Sequence, residues 1–270
     1  MENHSDEKRI FFAFDVYCPW PDHFPEGRLI EKEHRHLTLI FLGNSHFPKM
    51  EEILKDLPLP SFQVGRCGVF DKCLFLPNEV ANVAAFQIHW LEDDKAVENF
   101  QENLLQSLEE KKLMAKKKNR FKAHVSVARK PKELDKWKES FISLPMYIQN
   151  LHLFESLGFS KYNSLWQHEI IAPFKEISHT ADIAFHVYGE SFSELHLNAQ
   201  TALAFKFPKM IQYFSSQPNM KSLDEVIIKL NDMVTKMDMD IGSPIKAVSF
   251  HGEAKKDEKN IYKWEMVVDV

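Results

Sequence analysis

Glycine is scarce in this sequence, with eight in 270 residues and none arranged as a phosphate-cradling loop or a dinucleotide fingerprint. Walker-type nucleotide chemistry and Rossmann-type hydride transfer therefore have no motif here. Cysteine is scarcer: Cys18, Cys67 and Cys73 are an odd number, and the gap between the last two fits neither a zinc knuckle nor a redox CxxC pair. They read as core or surface thiols. No window approaches 18 uninterrupted apolar residues, and the start MENHSDEKRIFF is polar and acidic where a signal peptide needs a basic start and an apolar core. The expectation is a cytoplasmic protein with no membrane partner. The net charge of -5 also speaks against a general nucleic-acid binder.

What is present is ordinary soluble composition, 44% hydrophobic and 27% charged, over a length that suits one large or two medium domains. Charge is uneven. Between Lys111 and Lys132 lie Lys112, Lys116, Lys117, Lys118, Arg120, Lys122, Arg129 and Lys130 with no acidic residue among them. Such a run is either a solvated loop or a local electrostatic guide for a phosphate-bearing substrate.

Residues 9–16, RIFFAFDV, read as a strand; a Pro-rich turn follows, then the strand RHLTLIFLG at 35–43. Lys49 to Leu57 has helical spacing, FQVGRCGVF and ANVAAFQIHW are strand-like, and Asp93 or Asp94 can cap a long helix with Val97, Phe100, Leu104, Leu105 and Leu108 on one stripe. A strand at 124, a short helix over 133–141 and strands near 150 and 170 complete an α+β order with two similar halves. Near Ala172 and Pro173 the character changes, so residues 1–172 and 173–270 are expected to form two domains. The second begins with the strand-like FKEISHTADIAFHVYG. Two S-x-x-E capping boxes, Ser191 to Glu194 and Ser222 to Glu225, then lead helices, and the strands IKAVSFHG and YKWEMVVDV end it.

On a strand, alternate side chains share a face, so His36 and Thr38 point one way while Leu37 and Leu39 point the other. Alone, a strand histidine is an ordinary structural residue. The pattern recurs 88 residues later in FKAHVSVARK, where His124 and Ser126 share a face opposite Val125 and Val127. Two histidines on facing strands suit general acid-base work, because one imidazole can be neutral while the other is protonated near neutral pH. The hydroxyls can donate hydrogen bonds to a charged group held between them. The set fits cleavage of a phosphodiester without a metal. His34 and His36 also share a strand face, but no acidic or cysteine partner is linked to them by a motif.

With these residues in view, RIFFAFDV, HLTLIFLG, the long helix, FKAHVSVARK and LHLFESLGFSKYNSLWQHEIIAPF resemble the 2H phosphoesterase superfamily and, within it, RNA 2',3'-cyclic phosphodiesterases of the LigT or ThpR type. The resemblance covers roughly residues 8–172. It implies a bilobal domain of two antiparallel sheets around a cleft, one histidine motif on each lobe, and hydrolysis of an RNA's terminal 2',3'-cyclic phosphate to a 2'-phosphate. It implies that His36 protonates the leaving 3'-oxygen, that His124 is the base, that Thr38 and Ser126 hold the phosphate, that Arg129 adds positive charge, and that no cofactor is needed.

The segment Ser178-His179-Thr180-Ala181-Asp182-Ile183, with VYGESFSELHLNAQTAL, Lys246-Ala247-Val248 and the final Val267-Val268-Asp269-Val270, resembles archease. That resemblance implies a small α+β domain that assists an RtcB-type RNA ligase and holds Ca or Mg through Asp182, Asp269 and an oxygen of Val270, a hard-oxygen set. The stretch from Met233 to Lys246 is shorter than archeases usually have. Two other readings stay open: a non-enzymatic adaptor for RNA ends or a ligase, indifferent to loss of either histidine, and a 2H enzyme for a small cyclic nucleotide or a 2',5'-linkage.

Overall fold

The computed structural model describes residues 7–77, 81–92, 95–114, 121–179, 182–216, 218–250 and 252–270. In the first part of the chain run β1 (Glu7–Tyr17), β2 (Arg28–Leu29), β3 (His36–His46), α1 (Phe47–Ile53), β4 (Cys67–Leu76), β5 (Val83–Trp90), α2 (Ala96–Glu110), β6 (His124–Arg129), α3 (Leu134–Glu139), β7 (Leu144–Gly158) and β8 (Lys161–His168). The second part has β9 (Phe174–Ile177), β10 (Ile183–Gly189), α4 (Phe192–Lys206), α5 (Leu223–Ile241), β11 (Ala247–Val248), β12 (Lys255–Lys256) and β13 (Tyr262–Asp269).

The first sheet is antiparallel, in the order β1-β3-β6-β5-β4-β7-β8, with β2 on β6 and a further pairing of β1 with β7. The two sheets expected for a bilobal domain are thus halves of one hydrogen-bonded sheet. The cause is β7, which runs as one strand from Leu144 to Gly158. Its start pairs with β4 and the rest with β1, and Tyr147 partners both Cys67 and Tyr17. At the opposite junction one pair, Leu37 with Val125, joins β3 to β6. Helix α2 buries Val97, Phe100, Leu104 and Leu108, four of the five stripe residues, and Leu105 packs partly against the same core. The expected Asp93 or Asp94 cap lies outside the described residues, as do Lys116, Lys117, Lys118 and Arg120 of the basic run.

The second sheet has the order β11-β13-β10-β9, with β12 on β13. Both capping boxes form: Glu194 N donates to Ser191 Oγ at 3.1 Å and Glu225 N to Ser222 Oγ at 3.2 Å. Helix α4 is buried on all sides, because it packs against β10, α5, β7 and β4 together. Two of its polar residues find backbone partners: Asn198 Nδ2 donates to Tyr188 O at 2.7 Å, and Gln200 exchanges hydrogen bonds with the backbone of Ser215. The strand expected over IKAVSFHG shrinks to Ala247–Val248. There the Asn231 amide takes both the N–H and the carbonyl of Val248, at 2.8 and 2.9 Å.

The second sheet starts at Phe174, just past Pro173, yet the second core also takes in Cys67 and Tyr147 from the first part of the chain. Polar contacts join the parts as well. Arg66 Nη1 lies 2.6 Å from Glu92 and 2.8 Å from Glu194, and Cys67 Sγ donates to Asn198 Oδ1 at 3.2 Å. Burial pushes the Glu194 carboxyl up to about 7, against the pull of Arg66. No described helix is long and apolar enough to cross a membrane.

Candidate active site

The two histidine strands repeat each other residue for residue. In β3 the side chains from His36 to Ile40, and in β6 those from His124 to Ala128, run half-buried, buried, half-buried, buried, buried. Leucine and valine therefore anchor each strand in the core while histidine and hydroxyl stay accessible. The antiparallel pairing of Leu37 with Val125 leaves His36 and Thr38 flanking it on β3 and His124 and Ser126 flanking it on β6. All four expected groups flank this one pair.

Each imidazole is held in the same way. His36 Nδ1 lies 2.8 Å from the His34 carbonyl and His124 Nδ1 lies 2.7 Å from the Lys122 carbonyl, two residues back in both strands. A carbonyl only accepts, so Nδ1 carries the hydrogen in each ring, and the neutral ring presents the lone pair of Nε2. Both rings are poised as bases by their own backbone.

Surroundings differ more than orientation does. Around His36 stand Phe11 at 5.0 Å, Phe154 at 5.9 Å and, edge-on, Tyr162 at 4.8 Å between ring centroids. Burial lowers the His36 pKa to about 4; Arg129 presses it down further and Asp15 opposes this. Burial also lowers His124, opposed by its hydrogen bond to the Lys122 carbonyl and reinforced by the Lys122 ammonium. At neutral pH both rings are uncharged. Asp15, the strand partner of His36, is itself engaged by His152, whose Nε2 lies 2.9 Å from its carboxylate and whose Nδ1 lies 2.8 Å from Ser164 Oγ. His152 in turn stacks on Phe154 at 4.6 Å. This Asp15–His152 pair was not singled out in the sequence, although a carboxylate at the end of an otherwise apolar strand, FFAFD, is a signal for it.

Arg129 ends β6 and pairs with Arg28 of β2, so two guanidinium-bearing residues stand beside the histidine junction. Arg35 does not face it. It is buried with Nε donating to Ile30 O at 3.0 Å and its guanidinium 4.5 Å from Trp20 and 4.9 Å from Phe24, which ties the Pro-rich turn to β3. A cavity of about 390 Å³ lined by Asp15, Tyr17, Cys18, Trp20 and Arg35 lies on that side, and neither histidine lines it. The imidazoles belong to the open junction itself.

The residues expected to hold a cation are brought to one strand end, since the pairing of Ile183 with Val268, extended by one, opposes Asp182 to Asp269. They do not fit a cation there. Lys246 Nζ donates to Val270 O at 2.7 Å and lies 3.7 Å from Asp269, so an ammonium takes the place between these oxygens, while Asp182 faces His179 at 3.5 Å. Among the described residues no group of three or more His, Cys, Asp or Glu is placed to hold a metal ion. Thr180 and Ala181 of the same segment lie outside the described residues.

No family model matches the chain, and no curated protein does. Among solved structures, the chain is similar to E. coli LigT in apo form, at 19% identity over 62% of this chain and 99% of that one, with a TM-score of 0.45. E. coli LigT complexed with 3'-AMP gives 19%, 62%, 99% and 0.44 in the same order. The protein TT0787 of Thermus thermophilus gives 17%, 61%, 98% and 0.42. Likenesses at these levels leave the chemistry of the site to be argued from its own geometry.

Proposed function

We propose that this protein hydrolyses the terminal 2',3'-cyclic phosphate of RNA to a 2'-phosphate by two-histidine acid-base catalysis. The observation that carries the reading is the repeated arrangement of His36 and His124, each locked through Nδ1 by the carbonyl two residues back and each flanking the one pair that joins their strands. His124 Nε2 takes a proton from the attacking water as the oxygen bonds to phosphorus. His36 delivers a proton from Nε2 to the 3'-oxygen as that bond breaks. Thr38 and Ser126 donate hydrogen bonds to the non-bridging oxygens, and Arg129 offsets their charge.

The lowered pKa of both rings sets the order of events. His124 is ready as a base in the free protein, whereas His36 acquires its proton when the anionic phosphodiester enters and raises its pKa. Asp15, on the neighbouring strand, favours the charged form at His36 and not at His124, which supports the assignment of His36 as the acid. The carry-over from archease gives the C-terminal domain a ligase-accessory role within the same proposal.

The test is incubation of a short RNA ending in 2',3'-cyclic phosphate with the full chain in EDTA, with products resolved as 2'- or 3'-phosphate. A 2'-phosphate product formed in EDTA supports the reading. Turnover of small cyclic nucleotides alone moves the substrate to that class, and no turnover of either leaves the adaptor reading.

A further inference from the structure

Phe159 is the most exposed large apolar side chain among the described residues, at 85%, and its backbone is unusual. Gly158, Phe159 and Ser160 form the tip between β7 and β8 with φ of +87°, +51° and +63°. Glycine accepts such a conformation freely, but a bulky side chain there is uncommon and costs conformational energy. The turn itself needs glycine or asparagine at these places, not a phenyl ring.

The end of this hairpin touches residues on or beside both histidine strands. Just below its tip, Tyr162 of β8 meets His36 edge-on at 4.8 Å and His34 at 5.7 Å. Its tip reaches the His124 side, where Phe159 lies 6.0 Å from the guanidinium of Arg28, the strand partner of Arg129. The exposed ring is thereby held at the mouth of the histidine junction, next to two arginines. An open aromatic face beside guanidinium groups is the surface on which unpaired nucleobases stack, with cations close by for the backbone phosphate.

We propose that Phe159 stacks the base of the terminal nucleotide, making the β7–β8 tip a base platform over the catalytic junction. This rests on the reading of His36 and His124 as a nucleotide phosphoesterase site, and it narrows the substrate class to those that carry a nucleobase next to the reacting phosphate. A sugar cyclic phosphate without a base would lack this contact. Stacking of this kind is sequence-tolerant, so purines and pyrimidines are both accepted.

The experiment is equilibrium binding of a labelled six-nucleotide RNA ending in a 2'-phosphate, beside the same RNA with an abasic terminal nucleotide, to the full chain. Wild type, Phe159→Ala and Phe159→Tyr are compared, and wild-type turnover of the corresponding cyclic phosphate is measured separately. Wild type binds the base-bearing RNA about 10-fold or more tightly than the abasic one. Phe159→Ala removes most of that difference without changing abasic binding, and Phe159→Tyr keeps it. Equal binding of the base-bearing RNA by wild type and Phe159→Ala, no preference for the base, or no RNA binding at all overturns the proposal. Because binding is read apart from turnover, a protein that stacks the base but does not hydrolyse refutes the enzymatic reading and leaves the platform standing. One that hydrolyses with no effect of Phe159 does the reverse.

Discussion

Leu37 on β3 stands opposite Val125 on β6, and this antiparallel pair is what joins the two strands. Because side chains alternate along a strand, the residues flanking the pair project to the other face, where His36, Thr38, His124 and Ser126 come together. A one-residue slip would turn all four into the core and the leucine and valine outward. The register of two apolar residues thus assembles the polar site.

The first prediction concerns protonation. In the free protein His36 titrates near pH 4, so a histidine NMR titration shows it neutral at pH 7, with the hydrogen on Nδ1. Added inorganic phosphate raises its midpoint, since an anion favours the charged ring. The free-enzyme profile, kcat/KM, then has its optimum below pH 6.5 and more acidic than the optimum of kcat, which reports the complex. Asp15→Asn removes the carboxylate that draws the His36 pKa upward, so midpoint and optimum both move to lower pH. A free-protein midpoint of 6 or above contradicts the geometry.

Thr38→Val and Ser126→Ala remove one hydroxyl each from the face shared with the histidines. Hydrogen bonds to a charged group are worth about 1.5–3 kcal/mol, so each change lowers kcat/KM by about 10- to 100-fold. Thermal unfolding stays near that of wild type, because both side chains are only half-buried. An unchanged kcat/KM in both variants would remove the hydroxyls from the site.

Much of this was legible in the sequence. The two H-x-[T/S]-x strands, the α2 stripe and both capping boxes depend on short-range periodicity, and the structure has them. The continuous sheet was not legible, because β7 carries two apolar runs that pair with different neighbours and only tertiary contact distinguishes them. The all-round burial of α4 was hidden for a related reason: His196, Asn198, Gln200 and Thr201 look like a solvent face until their partners are known. At Asp182 and Asp269 the resemblance to archease pointed to a cation, and the contact of Lys246 with Asp269 and Val270 is visible only in space.

The junction between the two parts of the chain gives a stability prediction. Arg66→Met leaves Glu92 and Glu194 buried together without that guanidinium, a change of the kind that costs about 3–5 kcal/mol. The Glu194 carboxyl is raised from 4.5 to about 7 in the fold. Between those values the folded state binds a proton that the unfolded chain has released, so its contribution is full below pH 4.5 and is lost as pH rises through about 7. Denaturant unfolding therefore shows a larger loss for Arg66→Met at pH 8 than at pH 5. A loss that is equal at both values would mean the carboxylates do not sense the arginine.

The most direct test of the two-histidine account is kcat/KM on an RNA 2',3'-cyclic phosphate for wild type, His36→Ala, His124→Ala and the double variant. Each single change is predicted to lower it by about 10² or more, and the double to lower it by less than the product of the two, as expected for groups acting in one proton-transfer cycle. Full activity in either single variant would contradict the account.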